Sequence, residues 1–167
     1  MTWLATARKY LGVREIPGPK SDPTVMGFVR ALGGKLASWV TTDETPWCAS
    51  YANAVLQEAG LPMSAKPGSA DLLRAKSFLT YGTALQEPCL GCIVVFDRDG
   101  GGHVGFYLGE TLKAFRVLGG NQHDSVSEAW LARDRCLAYR WPPGAPPPAI
   151  GRKFLRPDAQ PLSKNEQ

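Results

Sequence analysis

The sequence predicts an α+β protein in which helices come first and an antiparallel sheet follows. Apolar residues recur at spacings of three and four through the first half of the chain, which is typical of helices. In the second half they form short continuous runs bounded by glycine and charge, which is typical of strands. The chain has 167 residues, of which 44% are hydrophobic and 20% charged, so it can bury one core and is too apolar for wholesale disorder.

Four helices are predicted in the first half of the chain, and each ends at glycine. Thr2, Asp22 and Ser69 can cap the first, second and fourth helices, because their side-chain oxygens accept hydrogen bonds from the exposed amides of a first turn. Pro23 fits the first position of the second helix. The predicted helices cover about residues 2–11, 22–32, 45–59 and 69–79.

Four strands are predicted after the helices, at residues 93–96, 103–108, 115–118 and 137–141. Beyond Pro142 the chain is rich in proline, glycine, alanine and charge. Such a segment is expected to be extended, with little to pack. The sequence therefore predicts one domain over residues 1–142 and a Pro-rich, flexible tail over residues 143–167.

Cys48 and His103 are the first candidates for chemistry. Cys48 lies in the first turn of the third helix, where unpaired amides and the helix dipole stabilise a thiolate. A free cysteine is also often a small buried hydrophobe, so its position alone does not decide its role. His103 follows three glycines and opens a strand, where a loop-edge role is the common alternative. Together the two residues supply a nucleophile and a base.

Hairpin register supplies a third candidate, Asn121. Folding the strands at 103–108 and 115–120 about residue 112 places His103 opposite Asn121. Strand alternation directs Gln122 to the other face, so Asn121 is predicted to orient the imidazole, with Gln122 and His123 as alternatives. Cysteine, histidine and asparagine in this chain order form the papain-like arrangement.

Several motifs in the same order carry a family resemblance. Residues 43–50 read DETPWCAS, and residues 102–106 read GHVGF. These segments resemble the nucleophile segment and the histidine strand of the papain-like NlpC-type and CHAP peptidoglycan hydrolases. Residues 11–18, and residues 117–122 followed by 139–142, are similar to a branch found in phage endolysins and cell-wall-directed proteins.

The resemblance implies a role for each residue of the triad. Cys48 would be the nucleophile, His103 the general base and Asn121 the orienting residue, and the Cys48 amide would help to hold the oxyanion. The implied reaction is hydrolysis of an amide in the peptide part of peptidoglycan through an acyl-enzyme. No cofactor and no metal is expected. The predicted substrate-binding residues are Trp47, Tyr51 and Gln122, although the two aromatic side chains also fit a core role.

Two other function classes stay open. A cell-wall-binding module could keep the fold without cutting, although the presence of Cys48, His103 and Asn121 together argues against it. An acyltransferase on the same fold would share the acyl-enzyme, so sequence separates it poorly from a hydrolase. Incubation with purified wall material separates them, because hydrolysis releases fragments with new amino termini.

The segment Pro88–Cys92 departs from the resembled family, which usually has a Pro-Gly-Asp-like turn here. Cys89 and Cys92 could be a redox pair, half of a zinc site, a local disulfide or two ordinary thiols. A thioredoxin-like pair would begin a helix, whereas this pair precedes a strand. Only His123 and Cys136 remain to complete a zinc site, at a spacing that fits no zinc finger, and Cys136 is expected to be buried.

The charge of the chain and its lack of recognisable targeting signals limit the partners and the cellular location that can be expected. The net charge of +4 is scattered along the chain, which argues against nucleic acid and is compatible with an anionic polymer such as a cell wall. No apolar run is long enough for membrane insertion, and the first residues contain no signal peptide. We therefore expect a protein made in the cytoplasm and delivered to the periplasm or cell wall by another system, as a phage lysin or an injected toxin. Peptidoglycan peptide is the expected substrate, and an inhibitor, immunity or delivery protein would be a further partner.

Overall fold

The fold was analysed in a computed structural model, which describes residues 1–149 and 151–155. The predicted α+β class is confirmed, because helices fill the amino-terminal part and a six-stranded antiparallel sheet forms the carboxy-terminal part. The α-helices are α1 (Thr2–Arg8), α2 (Pro23–Ala31), α3 (Leu36–Trp39) and α4 (Cys48–Glu58). Within the described residues, no helix is both long enough and apolar enough to cross a lipid bilayer.

The sheet has the strand order β1-β6-β2-β3-β4-β5, so the last strand returns to lie between the first two. Its central hairpin is β2–β3, in which Phe96 lies opposite His103. The next hairpin, β3–β4, aligns Phe106 with Leu118. The strands are β1 (Thr83–Ala84), β2 (Ile93–Arg98), β3 (Gly101–Glu110), β4 (Ala114–Gly119), β5 (Ser127–Ala132) and β6 (Cys136–Trp141).

Helix α4 is the central element of the core, because it packs between α2 and the sheet. Every residue from Cys48 through Leu56 is buried. The ring of Tyr51 meets Phe28 of α2 at 5.3 Å on one side and Phe106 of β3 at 6.4 Å on the other. The alanines of α4 let the helix approach both neighbours closely.

The loop before α4 is fixed by a buried carboxylate. Asp43 is 1% exposed, and its Oδ2 accepts hydrogen bonds from the amides of Ile16 at 3.1 Å and Asp22 at 2.8 Å. Asp22 in turn caps α2, since its Oδ1 accepts from the amides of Thr24 and Val25. The carboxylate therefore ties the connector after α1 to the segment that leads into Cys48.

Several predicted boundaries differ from the structure. The fourth predicted helix is instead two short 3₁₀ helices, Ala70–Leu73 and Ala75–Thr80, separated by the extended residue Arg74. The third predicted helix begins at Cys48 rather than near residue 45, and the first predicted helix ends at Arg8 rather than near residue 11. Strand β5 was missed because residues 127–132 mix polar and small residues and lack the β-branched pattern of a strand.

The described residues of the tail after Trp141 make several hydrogen bonds to the rest of the protein. Trp141 Nε1 donates to the carbonyl of Pro146 at 2.9 Å. Farther along, Leu155 donates its amide to the Glu110 carbonyl at 2.8 Å, and the Glu110 amide donates to the Lys153 carbonyl at 2.7 Å. The described part of the tail is therefore held against the end of β3, whereas residues 156–167 of the predicted flexible tail lie outside the described residues.

The side chain of Glu110 explains why the tail docks there. It is completely buried, and it pairs with Arg133 at 2.7 Å and with Arg152 of the tail. A buried carboxylate is costly unless it is paired, so the tail arginine supplies part of its compensation. The interaction couples the tail to the stability of the sheet.

We predict that this ion-pair cluster makes a measurable contribution to folding. Glu110→Gln keeps the side-chain volume but leaves two arginines without their carboxylate, and it should lower the free energy of unfolding by about 3 kcal/mol. Arg152→Ala should cost about 1 kcal/mol, because Arg133 still faces Glu110. Urea denaturation monitored by tryptophan fluorescence measures both.

Lys153→Ala is the matched control, because that side chain is exposed beside Arg152. Its unfolding free energy should stay within about 0.5 kcal/mol of wild type. Equal stability of Glu110→Gln and Lys153→Ala would contradict the proposed coupling.

Candidate active site

Cys48 is the first residue of α4, and its side chain is 4% exposed. No side chain caps this helix, so the amides of its first turn remain directed toward the thiol end of the helix. The nearby backbone amides of Val104, Ala49 and Cys48 itself and the charge of Arg98 each act to lower the pKa of this thiol. Burial outweighs these contributions and raises the pKa of the Cys48 thiol. The resting side chain is therefore the neutral thiol.

His103 lies on β3 directly beside a residue whose amide acts on this thiol. The Val104 amide is near enough to the Cys48 sulfur to lower the pKa of the thiol, and His103 immediately precedes Val104 in the strand. The imidazole is completely buried, with its ring centroid 6.3 Å from that of Phe96. Helix α4 and strand β3 therefore bring the two predicted residues, Cys48 and His103, to one place in the fold.

Gln122 is the side chain hydrogen-bonded to His103. Its Oε1 lies 3.1 Å from His103 Nε2. Its Nε2 donates to the carbonyl oxygens of Ser127 at 2.6 Å and Val117 at 3.3 Å. Because those carbonyls accept only from the NH₂ group, the orientation of the amide is fixed and Oε1 must face the imidazole. Nε2 of His103 therefore carries the proton, and Nδ1 carries the lone pair that a general base requires.

In the structure the imidazole is hydrogen-bonded to Gln122, one of the two predicted alternatives, while the orienting role of Asn121 stays a prediction. The hairpin register was sound, since Phe106 opposes Leu118 and the same alignment extended would place Asn121 opposite His103. However, β4 ends at Gly119, and Asn121 has a positive φ of 58°, so strand alternation no longer applies. The bend turns the Gln122 side chain toward His103, while Asn121 itself is 1% exposed at the centre of the bend.

Gln122 had also been predicted to bind substrate. It is completely buried, and both ends of its amide are hydrogen-bonded within the protein. Its place is behind the imidazole of His103. The signal available in the sequence was the Gly119-Gly120 pair before it, which marks where the strand geometry breaks down.

Trp47 and Tyr51, the other predicted substrate-binding residues, are buried in the core. Trp47 is 1% exposed, and its Nε1 donates to Glu15 Oε1 at 2.6 Å. Tyr51 is completely buried, and its hydroxyl donates to the Ala7 carbonyl at 2.9 Å. Their spacing on the helix therefore reflects core packing, which was the alternative reading of the pattern, and it places neither ring in an open groove.

Two glycines that the sequence analysis did not assign shape the site. A Cβ at Gly119 would lie 2.7 Å from Gln122 Oε1 and 3.2 Å from His103 Nε2. A Cβ at Gly120 would lie 2.7 Å from both Trp47 and Tyr51. Only glycine lets the bend pass between α4 and the imidazole.

The described residues place Cys48 at the start of α4 and a His103–Gln122 hydrogen bond on the adjoining sheet, and they show no metal centre. Within residues 1–149 and 151–155, no three or more of the histidine, cysteine, aspartate and glutamate side chains are grouped so that they could hold a metal ion. No protein-family model matches this chain, and no curated protein matches its sequence. The chemical interpretation of the site therefore depends on its own geometry.

We predict that His103 is the Nε2–H tautomer in the folded protein. Long-range ¹H–¹⁵N spectra of the labelled imidazole measure this directly, and exposed His123 provides an internal reference. Gln122→Met removes the acceptor at similar volume and should abolish the preference. Asn121→Gly relieves the positive φ, removes the side chain and should retain it. The Nδ1–H tautomer in wild type would contradict the assignment.

We predict that the Cys48 thiol has a raised pKa and reacts only after it has lost its proton. A raised pKa keeps the thiol protonated at neutral pH, so its alkylation rate should rise about tenfold per pH unit through neutrality and continue to rise above pH 9. Iodoacetamide labelling under reducing conditions, with the peptides separated by mass spectrometry, distinguishes Cys48 from the other cysteines. A plateau at neutral pH would instead indicate a preformed thiolate.

Proposed function

We propose that this protein is a cysteine amidase or endopeptidase that hydrolyses an amide bond in the peptide part of bacterial peptidoglycan. The observation that carries the proposal is the hydrogen bond between Gln122 Oε1 and His103 Nε2, on the strand residue that precedes Val104, whose backbone amide lowers the pKa of the Cys48 thiol. This is the division of roles found in papain-like catalysis, with glutamine in the third position.

The proposed reaction begins with transfer of the Cys48 proton to His103 Nδ1. The thiolate then attacks the amide carbonyl carbon, and the backbone amides at the start of α4 stabilise the oxyanion. His103 returns the proton to the leaving amine as the C–N bond breaks, which gives the acyl-enzyme. Water, deprotonated by His103, releases the acid and restores the thiol.

The raised pKa of Cys48 fits a mechanism in which the base acts during the reaction. A buried thiol is unreactive by itself, so proton removal has to be coupled to the arrival of the carbonyl. Gln122 contributes by stabilising the imidazolium, because its Oε1 accepts a hydrogen bond in both protonation states. It acts as a positioning residue for His103.

The substrate class is supported by the motifs around the two reactive residues. DETPWCAS at 43–50 and GHVGF at 102–106 resemble the corresponding segments of NlpC-type and CHAP hydrolases. The positive net charge of +4 is compatible with binding to an anionic wall polymer. We extend the proposal to a site of action in the periplasm or cell wall, with an inhibitor or delivery protein as a further partner.

Digestion of purified Gram-negative sacculi tests the proposal. Wild type should release muropeptides with new amino termini, identified by mass spectrometry, and Cys48→Ala and His103→Ala should each lose at least about 10³-fold of the rate. Gln122→Met should lose on the order of tenfold to a hundredfold, because the base remains but is misoriented. Cys136→Ala is the matched control, and it should retain wild-type activity.

Other outcomes lead to different conclusions. Wall peptides joined to an added amine, without free acid, would indicate an acyltransferase on the same acyl-enzyme. Binding to sacculi without any product would indicate a wall-binding module. Activity retained in folded Cys48→Ala would overturn the mechanism.

A further inference from the structure

A tight turn containing two cysteines immediately precedes β2. The Cys92 amide donates to the Cys89 carbonyl at 3.0 Å, which closes the four-residue turn Cys89–Cys92. Gly91, its third residue, has a φ of +79°, as a type II turn requires. The ends of such a turn have Cα atoms less than about 7 Å apart, and disulfides join Cα atoms about 4.4–6.8 Å apart.

The two thiols differ in acidity. The neighbouring Cys92 thiol lowers the pKa of Cys89. Cys92 is completely buried, and burial raises its pKa well above the usual range. Of the two, Cys89 is the better attacking thiolate and Cys92 the resolving thiol.

The surrounding structure holds the turn in this geometry. The Gly91 carbonyl accepts a hydrogen bond from Trp3 Nε1 of α1 at 2.8 Å, and the Gly91 amide donates to the Tyr107 carbonyl of β3 at 2.8 Å. Anchored on both sides, the turn keeps the backbones of Cys89 and Cys92 close together, so closing a disulfide requires little backbone rearrangement.

Cys136 lies on β6, offset along the strands from the Cys89–Cys92 turn, and its thiol contributes to the raised pKa of Cys92. It lies opposite Phe96, whereas Ile93, the residue after Cys92, lies opposite Arg140. The two positions are therefore separated along the strands by about four residues, or roughly 13 Å. Cys136 hydrogen-bonds instead to the carbonyl of Ala138.

We propose that Cys89 and Cys92 form a reversible dithiol–disulfide site that is oxidised by a low-molecular-weight disulfide. The Cys89 thiolate attacks one sulfur of that disulfide and forms a mixed disulfide, releasing the first thiolate. Cys92, after loss of its proton, attacks Cys89 Sγ, so that the Cys89–Cys92 bond forms and the second thiolate leaves. Two electrons pass from the protein to the reagent, and the two released thiolates take up two protons, one of them supplied by Cys92.

The position of the turn near the surface allows this exchange. Cys89 is 4% exposed, but Gln86 and Glu87 just before it are exposed and Leu90 is half-buried. A local opening of residues 86–90 therefore gives the reagent access to Cys89, whereas Cys92 stays beneath the turn.

Oxidation of the full chain in glutathione redox buffers tests the proposal. Wild type should lose 2 Da as an intramolecular disulfide forms, and non-reducing peptide maps should link Cys89 to Cys92. Its melting temperature should rise by about 4 °C relative to the reduced form, because the unfolded chain is constrained. Dithiothreitol should reverse both changes.

Cys136→Ala should behave as wild type, and Cys89→Ala should form no such bond. Cys89→Ser, which keeps a hydrogen-bonding group in the turn, is the second variant and should also form none. Folded wild type that remains fully reduced, retains only a glutathione adduct, or pairs other cysteines would overturn the proposal.

Discussion

The hydrogen bond from His103 Nε2 to Gln122 Oε1 depends on contacts that lie away from the imidazole itself. The amide of Gln122 is oriented by the carbonyls of Val117 and Ser127, which belong to β4 and β5. The β4–β5 connection therefore determines which ring nitrogen of His103 carries its proton. Disturbance of that connection would change the tautomer without touching either reactive residue.

The bend at Gly119-Gly120 couples this hydrogen bond to the packing of α4. Gly120 lies against the buried ring of Trp47 and the Cβ of Tyr51, and Gly119 lies against Gln122 and His103. The helix that presents Cys48 and the loop that presents Gln122 are thus packed together through the same two residues. This explains why two large aromatic side chains flank the nucleophile and yet are buried: they set the separation between α4 and the bend.

The sequence predicted the helices and strands of the fold more accurately than it predicted which side chain is hydrogen-bonded to His103. The α+β order, the position of Cys48 at a helix start, and the alignment of the β3–β4 hairpin follow from periodicity, and each is present in the structure. The hydrogen bond between Gln122 and His103 was not predicted by strand alternation, because alternation holds only while a strand continues, and β4 ends two residues before Asn121. The docking of the tail was missed because Glu110 and Arg152 are far apart in sequence, and no local pattern reports their pairing.

The environments of the cysteines make Cys89 more reactive toward oxidants than Cys48, the candidate nucleophile. Burial raises the pKa of Cys48, which keeps it a neutral thiol with low reactivity in the absence of a substrate. At Cys89 the neighbouring Cys92 thiol has the opposite effect and lowers the pKa. Because the thiolate is the species that reacts with disulfides, exchange is faster at Cys89, and the adjacent Cys92 converts the adduct into a closed, reducible bond. A hydrolase built on Cys48 would thereby keep its nucleophile reduced in an oxidising compartment, since its reactivity depends on proton transfer to His103 when a substrate carbonyl is in place.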